Sequence, residues 1–125
     1  MKLPLDVHDG AIVSYRQDER GLEVVVTQYD GRLRTLRFED VHAVHDLEAV
    51  EGYDASCPEG SLDFVEEAQY GSLLTAVRDL TLRDGGTVDE VSGLRQFDFT
   101  NTDGRHMLSV VARRVAILAD ASLKT

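Results

Sequence analysis

Alternating hydrophobic and polar positions dominate the first third of the chain and predict three antiparallel strands. Residues 11–15, 22–29 and 32–39 are rich in β-branched and aromatic side chains, and short polar turns separate them. The dipeptide Asp30-Gly31, between the second and third runs, is a strong hairpin signal. The N-terminal third is therefore expected to form a meander of three strands.

The last third of the chain shows the same alternation and predicts a second hairpin. Residues 94–99 and 107–111 form the two runs, and Asp103-Gly104 marks the turn between them. Residues 115–118 are short and apolar, which suits a final strand or a docked C-terminal turn.

The middle of the chain gives a mixed pattern with helical and extended alternatives. Residues 41–47 suit an extended segment better than a single helical turn, and residues 52–60 are typical of an exposed loop. Ser61 or Asp63 can cap a helix whose apolar positions recur at helical spacing, namely Leu62, Val65 and Ala68. Gly71 interrupts this pattern, and a second helical run follows with Leu73, Val77 and Leu80, where a strand is the alternative.

Together these elements predict one α+β domain over residues 1–125, with an antiparallel β-rich sheet built from N-terminal and C-terminal hairpins and one or two helices in the middle. A chain of 125 residues with 42% apolar residues can bury a single core. No apolar run is long enough to span a bilayer, and the opening residues lack the apolar core of a secretory signal. The single cysteine, Cys57, suits a reducing compartment, so we expect a soluble, cytoplasmic protein.

Charge is distributed very unevenly along the chain, whose net charge is −10. Residues 39–76 contain ten acids and no lysine or arginine, while the rest of the chain is balanced. A negative surface repels nucleic acid and anionic lipid, so neither is an expected partner. We expect a basic protein instead, and the candidate partner-binding residues are Glu39, Asp40, Asp46, Glu48, Glu51, Asp54, Glu66 and Glu67.

Candidate chemistry is sparse. The pair His42 and His45, followed by Asp46, offers possible metal ligands. On a helix the two imidazoles would share a face, whereas regular strand alternation would separate them. The chain has no nucleophile elbow, phosphate-binding loop or dinucleotide fingerprint, so we predict no catalytic residues, no enzymatic activity and no cofactor.

An overall pattern in the sequence resembles a group of small bacterial β-rich domains. Its parts are His8-Asp9 before the first strand, Leu36, Phe38 and Val41 near the third strand, and a terminal hairpin at Asp103-Gly104. The group includes immunity proteins of polymorphic toxin systems. This resemblance implies a non-enzymatic protein that neutralises a partner toxin by covering its active site.

Three hypotheses follow from the sequence. The first is a non-enzymatic binding module, for example an immunity-like protein, whose acidic residues face a basic partner. The second is a metal-binding protein or a small metal-dependent hydrolase that uses His42, His45 and Asp46. The third is a homo-oligomeric structural domain, such as a homodimer, in which an edge strand such as residues 94–99 pairs across a two-fold axis.

Overall fold

A computed structural model of the chain describes residues 1–46, 62–68, 71–102 and 104–118. Within them the chain is α+β, with strands towards both ends and helices between them, as the sequence predicts. The elements are β1 (Ile12–Asp18), β2 (Gly21–Thr27), β3 (Leu33–Asp46), β4 (Leu62–Ala68), α1 (Ser72–Arg83), α2 (Val88–Val91), β5 (Arg95–Asn101) and β6 (His106–Leu118).

The described strands form one antiparallel sheet in the order β1-β2-β3-β6-β5-β4. β6 pairs with β3 on one side and with β5 on the other. It therefore links the N-terminal strands to the C-terminal hairpin. The predicted edge position of residues 94–99 is wrong, because β5 lies between β4 and β6. The final run, residues 115–118, continues β6 and is not a separate element.

One face of the sheet carries the main hydrophobic core. The ring of Phe38 lies 5.3 Å from that of Phe97 and 6.1 Å from that of Phe99, centroid to centroid. Leu22, Val24, Leu36 and Val110 are fully buried in the same cluster. Each buried aliphatic side chain of this kind contributes about 1.5–3 kcal/mol, so this face supplies most of the driving force for folding.

The opposite face of the sheet is covered in part by α1 and α2. Leu74 of α1 and Val91 of α2 are buried with Leu94 and Val111, and Leu73 and Val77 pack against this second cluster. The helical alternative for this part of the chain is thus correct, although Leu80 does not belong to the buried stripe and is 56% exposed. No helix among the described residues is long and apolar enough to cross a membrane.

The predicted helix after Ser61 is wrong, because residues 62–68 form β4. A register shift between Leu62 and Phe64 brings Leu62 and Val65 into the same core despite their odd spacing. A second shift, between Val41 and Ala43, does the same for Val41 and Val44 of β3. Bulged strands thus show the residue spacing of a helix. The extended prediction for residues 41–47 is confirmed over residues 41–46, and residue 47 lies outside the described part of the chain.

The N-terminal segment, residues 1–10, runs alongside β4. Leu3 N donates to Val65 O at 2.8 Å and Asp9 N to Leu62 O at 2.9 Å, while Leu62 N donates to Gly10 O at 2.8 Å. On its other side, Asp6 O accepts from Tyr29 N at 3.0 Å. The segment therefore connects the β4 edge with the β2–β3 turn and brings residues 6–9 close to both.

Candidate partner-binding surface

A tight turn at the end of the N-terminal segment presents His8 and Asp9 at the surface. Val7 is 1% exposed and anchors the turn in the core, and Gly10 N closes it by donating to Val7 O at 2.7 Å. Asp9 has φ 60°, a left-handed conformation that aspartate tolerates better than most residues. At Gly10 a Cβ would lie 2.0 Å from Thr27 O, so glycine is required there.

His8 is the centre of a group of side chains drawn from three parts of the chain. Its Nδ1 lies 3.1 Å from Asp63 Oδ1 on β4, and its Nε2 lies 3.6 Å from Asp9 Oδ2. Its backbone N donates to Asp6 Oδ1 at 3.3 Å, and its ring stacks on Tyr29 with centroids 6.3 Å apart. We call Asp6, His8, Asp9, Tyr29 and Asp63 the His8 cluster.

Electrostatics in the His8 cluster favour the charged imidazolium. The hydrogen bond with Asp63 and then the negative charge of Asp9 raise the pKa of His8, and the charges of Asp63 and Asp6 add to this effect. Desolvation opposes them. The His8 side chain is 53% exposed, so the cluster is accessible to a partner.

Three predicted partner-binding acids are neutralised by arginines that are distant in sequence but lie on adjacent strands of the sheet. Glu67 Oε1 lies 2.5 Å from Arg95 Nη2, and Glu39 Oε2 lies 3.0 Å from Arg114 Nε. Asp40 is bonded to Arg113, which also binds the Ser92 and Glu90 carbonyls. The hydrogen bond from Arg95 lowers the pKa of Glu67, and the same bond raises the pKa of Arg95. A count of charges along the sequence does not reveal these pairs, because each arginine is far from its acidic partner in the chain.

The other predicted acids are placed differently. Glu66 is half-buried on β4, where it lies opposite Asp98 in register. Glu48, Glu51 and Asp54 lie outside the described residues, as does the side chain of Asp46. By contrast, Asp6, Asp9 and Asp63 form no ion pair with lysine or arginine in the described part of the chain.

The predicted metal ligands lie on β3. His42 falls within the register shift between Val41 and Ala43, so simple strand alternation does not apply to it, and its Nε2 lies 3.4 Å from Asp40 Oδ1. His45 is exposed and pairs in register with Ser109. Within residues 1–46, 62–68, 71–102 and 104–118, no group of three or more His, Cys, Asp or Glu side chains is arranged to hold a metal ion.

A second polar group lies buried on the helix-covered face of the sheet. Asp98 is 1% exposed, and its Oδ1 accepts from Gln96 Nε2 at 2.8 Å and from Ser109 Oγ at 2.7 Å. Gln96 Oε1 in turn accepts from Leu74 N at 2.9 Å, in the first turn of α1, where the N-cap residue Gly71 has no side chain to do so. His106 Nδ1 approaches Asp98 Oδ2 at 3.7 Å.

The Asp98 network is suited to holding α1 on the sheet. An Asp–His pair can orient an imidazole for base catalysis. Here, however, the Ser109 hydroxyl donates to Asp98 and is not arranged as a nucleophile activated by His106. Sequence reasoning missed this network because Gln96 and Asp98 alternate with buried phenylalanines, which is also typical of a solvent-facing strand side.

Sequence reasoning also missed the His8 cluster as a unit. His8 and Asp9 are neighbours in the sequence, but Asp63 is 55 residues from His8, and residue spacing does not show that they meet.

Comparisons with known proteins add no assignment: no protein-family model, no curated protein and no solved structure matches the chain.

Proposed function

We propose that this chain is a non-enzymatic binding module that docks a basic region of another protein on the His8 cluster. The proposal is carried by one observation: three carboxylates from two separate segments converge without a lysine or arginine ion pair among the described residues. Elsewhere, Glu39, Asp40 and Glu67 each face an arginine. Arginine or lysine side chains of a partner can supply the missing positive charges.

The sequence that precedes β4 supports this location. Residues 47–61 contain four acids, Glu48, Glu51, Asp54 and Glu59, and no basic residue, and this stretch ends two residues before Asp63 in the sequence. A concentrated negative surface steers a basic partner towards it and speeds association at low salt. An immunity-like role in the cytoplasm, in which the partner is a basic toxin, is one form of this function.

Affinity capture from native lysate with two matched variants tests the proposal. The first variant, Asp6→Asn/Asp9→Asn/Asp63→Asn, removes the carboxylates of the His8 cluster. The control, Glu19→Gln/Asp79→Asn/Asp84→Asn, removes three exposed acids elsewhere and changes the net charge equally. Wild type and control should retain the same basic protein at low salt and release it at high salt, whereas the first variant should not retain it.

Two results would contradict the proposal. One is equal retention of the basic protein by all three forms, which would place binding elsewhere. The other is the absence of any salt-sensitive basic protein on the wild-type column. Circular dichroism melting of each form shows that loss of retention does not reflect unfolding.

We also propose self-association as an alternative function, favoured by the exposure of β1. β4 is flanked by the N-terminal segment, but β1 pairs in the described structure only with β2, and Val13 and Tyr15 are 54% and 41% exposed. Such an edge can pair with a second copy. Because each copy carries a net charge of −10, salt should strengthen a homodimer and weaken binding to a basic partner. Sedimentation at two salt concentrations, with Tyr15→Lys compared against Val88→Lys, separates the two proposals.

A further inference from the structure

His8 occupies the position where a partner's cation would have to bind. Its Nδ1 is 3.1 Å from Asp63 Oδ1, its Nε2 is 3.6 Å from Asp9 Oδ2, and Asp6 accepts from its backbone N. When the imidazole is protonated, it supplies within the chain the positive charge that a partner would otherwise bring. When it is neutral, the same carboxylates face solvent without that charge.

We propose that His8 regulates the binding surface by competing, in its protonated form, with the basic partner for the carboxylates of Asp6, Asp9 and Asp63. This inference rests on the proposed function. It adds that binding is coupled to the release of a proton and that affinity rises from acidic to neutral pH. The partner class is an arginine- or lysine-rich protein segment.

The groups facing His8 define the pH range of this coupling. They are Asp6 and Asp9 on its own segment, Asp63 on β4, and Tyr29 beyond β2. Among these side-chain types only histidine ordinarily changes its charge between pH 5 and 8. The neighbouring carboxylates raise the pKa of His8. The transition therefore lies at a higher pH than that of an isolated histidine.

Linkage sets the size and sign of the effect. If binding releases one proton, affinity increases by at most about tenfold per pH unit while His8 is protonated in the free protein, and becomes constant once it is neutral. Reciprocally, a bound basic partner must lower the pKa of His8. If a partner binds away from the cluster, the protonation of His8 does not affect its affinity, and the partner does not change the pKa of His8.

The test measures calorimetric binding of a hexa-arginine peptide at low ionic strength between pH 5.5 and 8. Wild type should bind about three- to tenfold more tightly at pH 8 than at pH 5.5. His8→Gln removes the titrating group and should bind with the high-pH affinity throughout, while His8→Lys should bind weakly throughout. His45→Gln, which removes an exposed histidine outside the cluster, should behave as wild type.

The outcomes separate the regulation from the function on which it rests. If His8→Gln retains the pH dependence of wild type, His8 does not regulate binding, even where the Asp6→Asn/Asp9→Asn/Asp63→Asn protein loses affinity. If that triple variant binds the peptide as well as the Glu19→Gln/Asp79→Asn/Asp84→Asn control, the peptide does not bind at the His8 cluster and the proposed function is contradicted. Measurements in two buffers of different ionisation enthalpy count the protons, and a count of zero at pH 6 overturns the proposal.

Discussion

His8 Nδ1 lies 3.1 Å from Asp63 Oδ1, although 55 residues separate them along the chain. The contact joins the N-terminal segment to β4 at the point where Leu62 bonds to both Asp9 and Gly10. It therefore ties a surface turn to the sheet and gathers carboxylates from two segments around one imidazole. This arrangement underlies both the proposed binding surface and its regulation by pH.

The first prediction concerns the contribution of His8 to stability. Because folding raises its pKa, protonated His8 favours the folded state. That stabilisation is fully present below the pKa of the unfolded chain and is lost as pH rises through the folded pKa. The melting temperature of wild type should therefore exceed that of His8→Gln by more at pH 5.5 than at pH 8. A constant difference would show that the contacts of His8 are not electrostatic.

The second prediction isolates Asp63. Replacing it with asparagine removes the strongest contribution to the raised pKa of His8, so the NMR titration midpoint of the His8 imidazole should fall. Asp79→Asn, on the exposed surface of α1, should leave that midpoint unchanged. An unchanged midpoint in Asp63→Asn would mean that the hydrogen bond between the two side chains does not form in solution.

The third prediction concerns the buried network around Asp98. Asp98→Ala leaves the Gln96 amide and the Ser109 hydroxyl without their acceptor, which should lower the free energy of unfolding by about 2–4 kcal/mol. The exposed control Asp79→Ala should change it by no more than about 0.5 kcal/mol. Denaturant unfolding measures both, and similar values for the two variants would contradict a structural role for the network.

The fourth prediction uses the nearby Thr100. Its Oγ1 is buried and has no hydrogen-bond partner among the described residues. Thr100→Val removes this unpaired hydroxyl while nearly keeping the side-chain shape, so stability should stay the same or rise by up to about 1 kcal/mol. A loss of more than about 1 kcal/mol would show that the hydroxyl has a partner, such as an ordered water.

The fifth prediction concerns acid stability. Arg95 lowers the pKa of Glu67, so this pair stabilises the fold above the ordinary glutamate pKa and loses that effect as pH falls through the folded value. Glu67→Gln should therefore be less stable than wild type at pH 7, with the difference shrinking towards pH 3. Both side chains are partly exposed, so the effect at pH 7 should be small. Equal stability at all pH values would contradict it.

The sequence was sufficient to predict most of the sheet and the α+β class, because turn dipeptides and alternating residues are local signals. The strand β4 escaped prediction since its bulge between Leu62 and Phe64 places Leu62 and Val65 in one core at helical spacing. The strand order was not predicted either, because the pairing of β6 with β3 joins residues that are far apart in the sequence and leaves no local signal.

The candidate site was less predictable than the fold. The count of acids over residues 39–76 predicted a negative surface, but Arg95, Arg113 and Arg114 come from strands far along the chain. They neutralise part of it after folding. Asp6 and Asp9, which form no ion pair with lysine or arginine among the described residues, lie outside the acidic stretch and meet Asp63 only through the path of the N-terminal segment.

An NMR titration of the protein with the hexa-arginine peptide at low salt and pH 7.5 tests most directly whether a basic partner binds at the His8 cluster. Amide shifts should concentrate at residues 6–9, Tyr29 and Asp63, and they should disappear in the Asp6→Asn/Asp9→Asn/Asp63→Asn protein. Shifts that concentrate instead around Glu19, Asp79 or Asp84, or that persist in the triple variant, would contradict it.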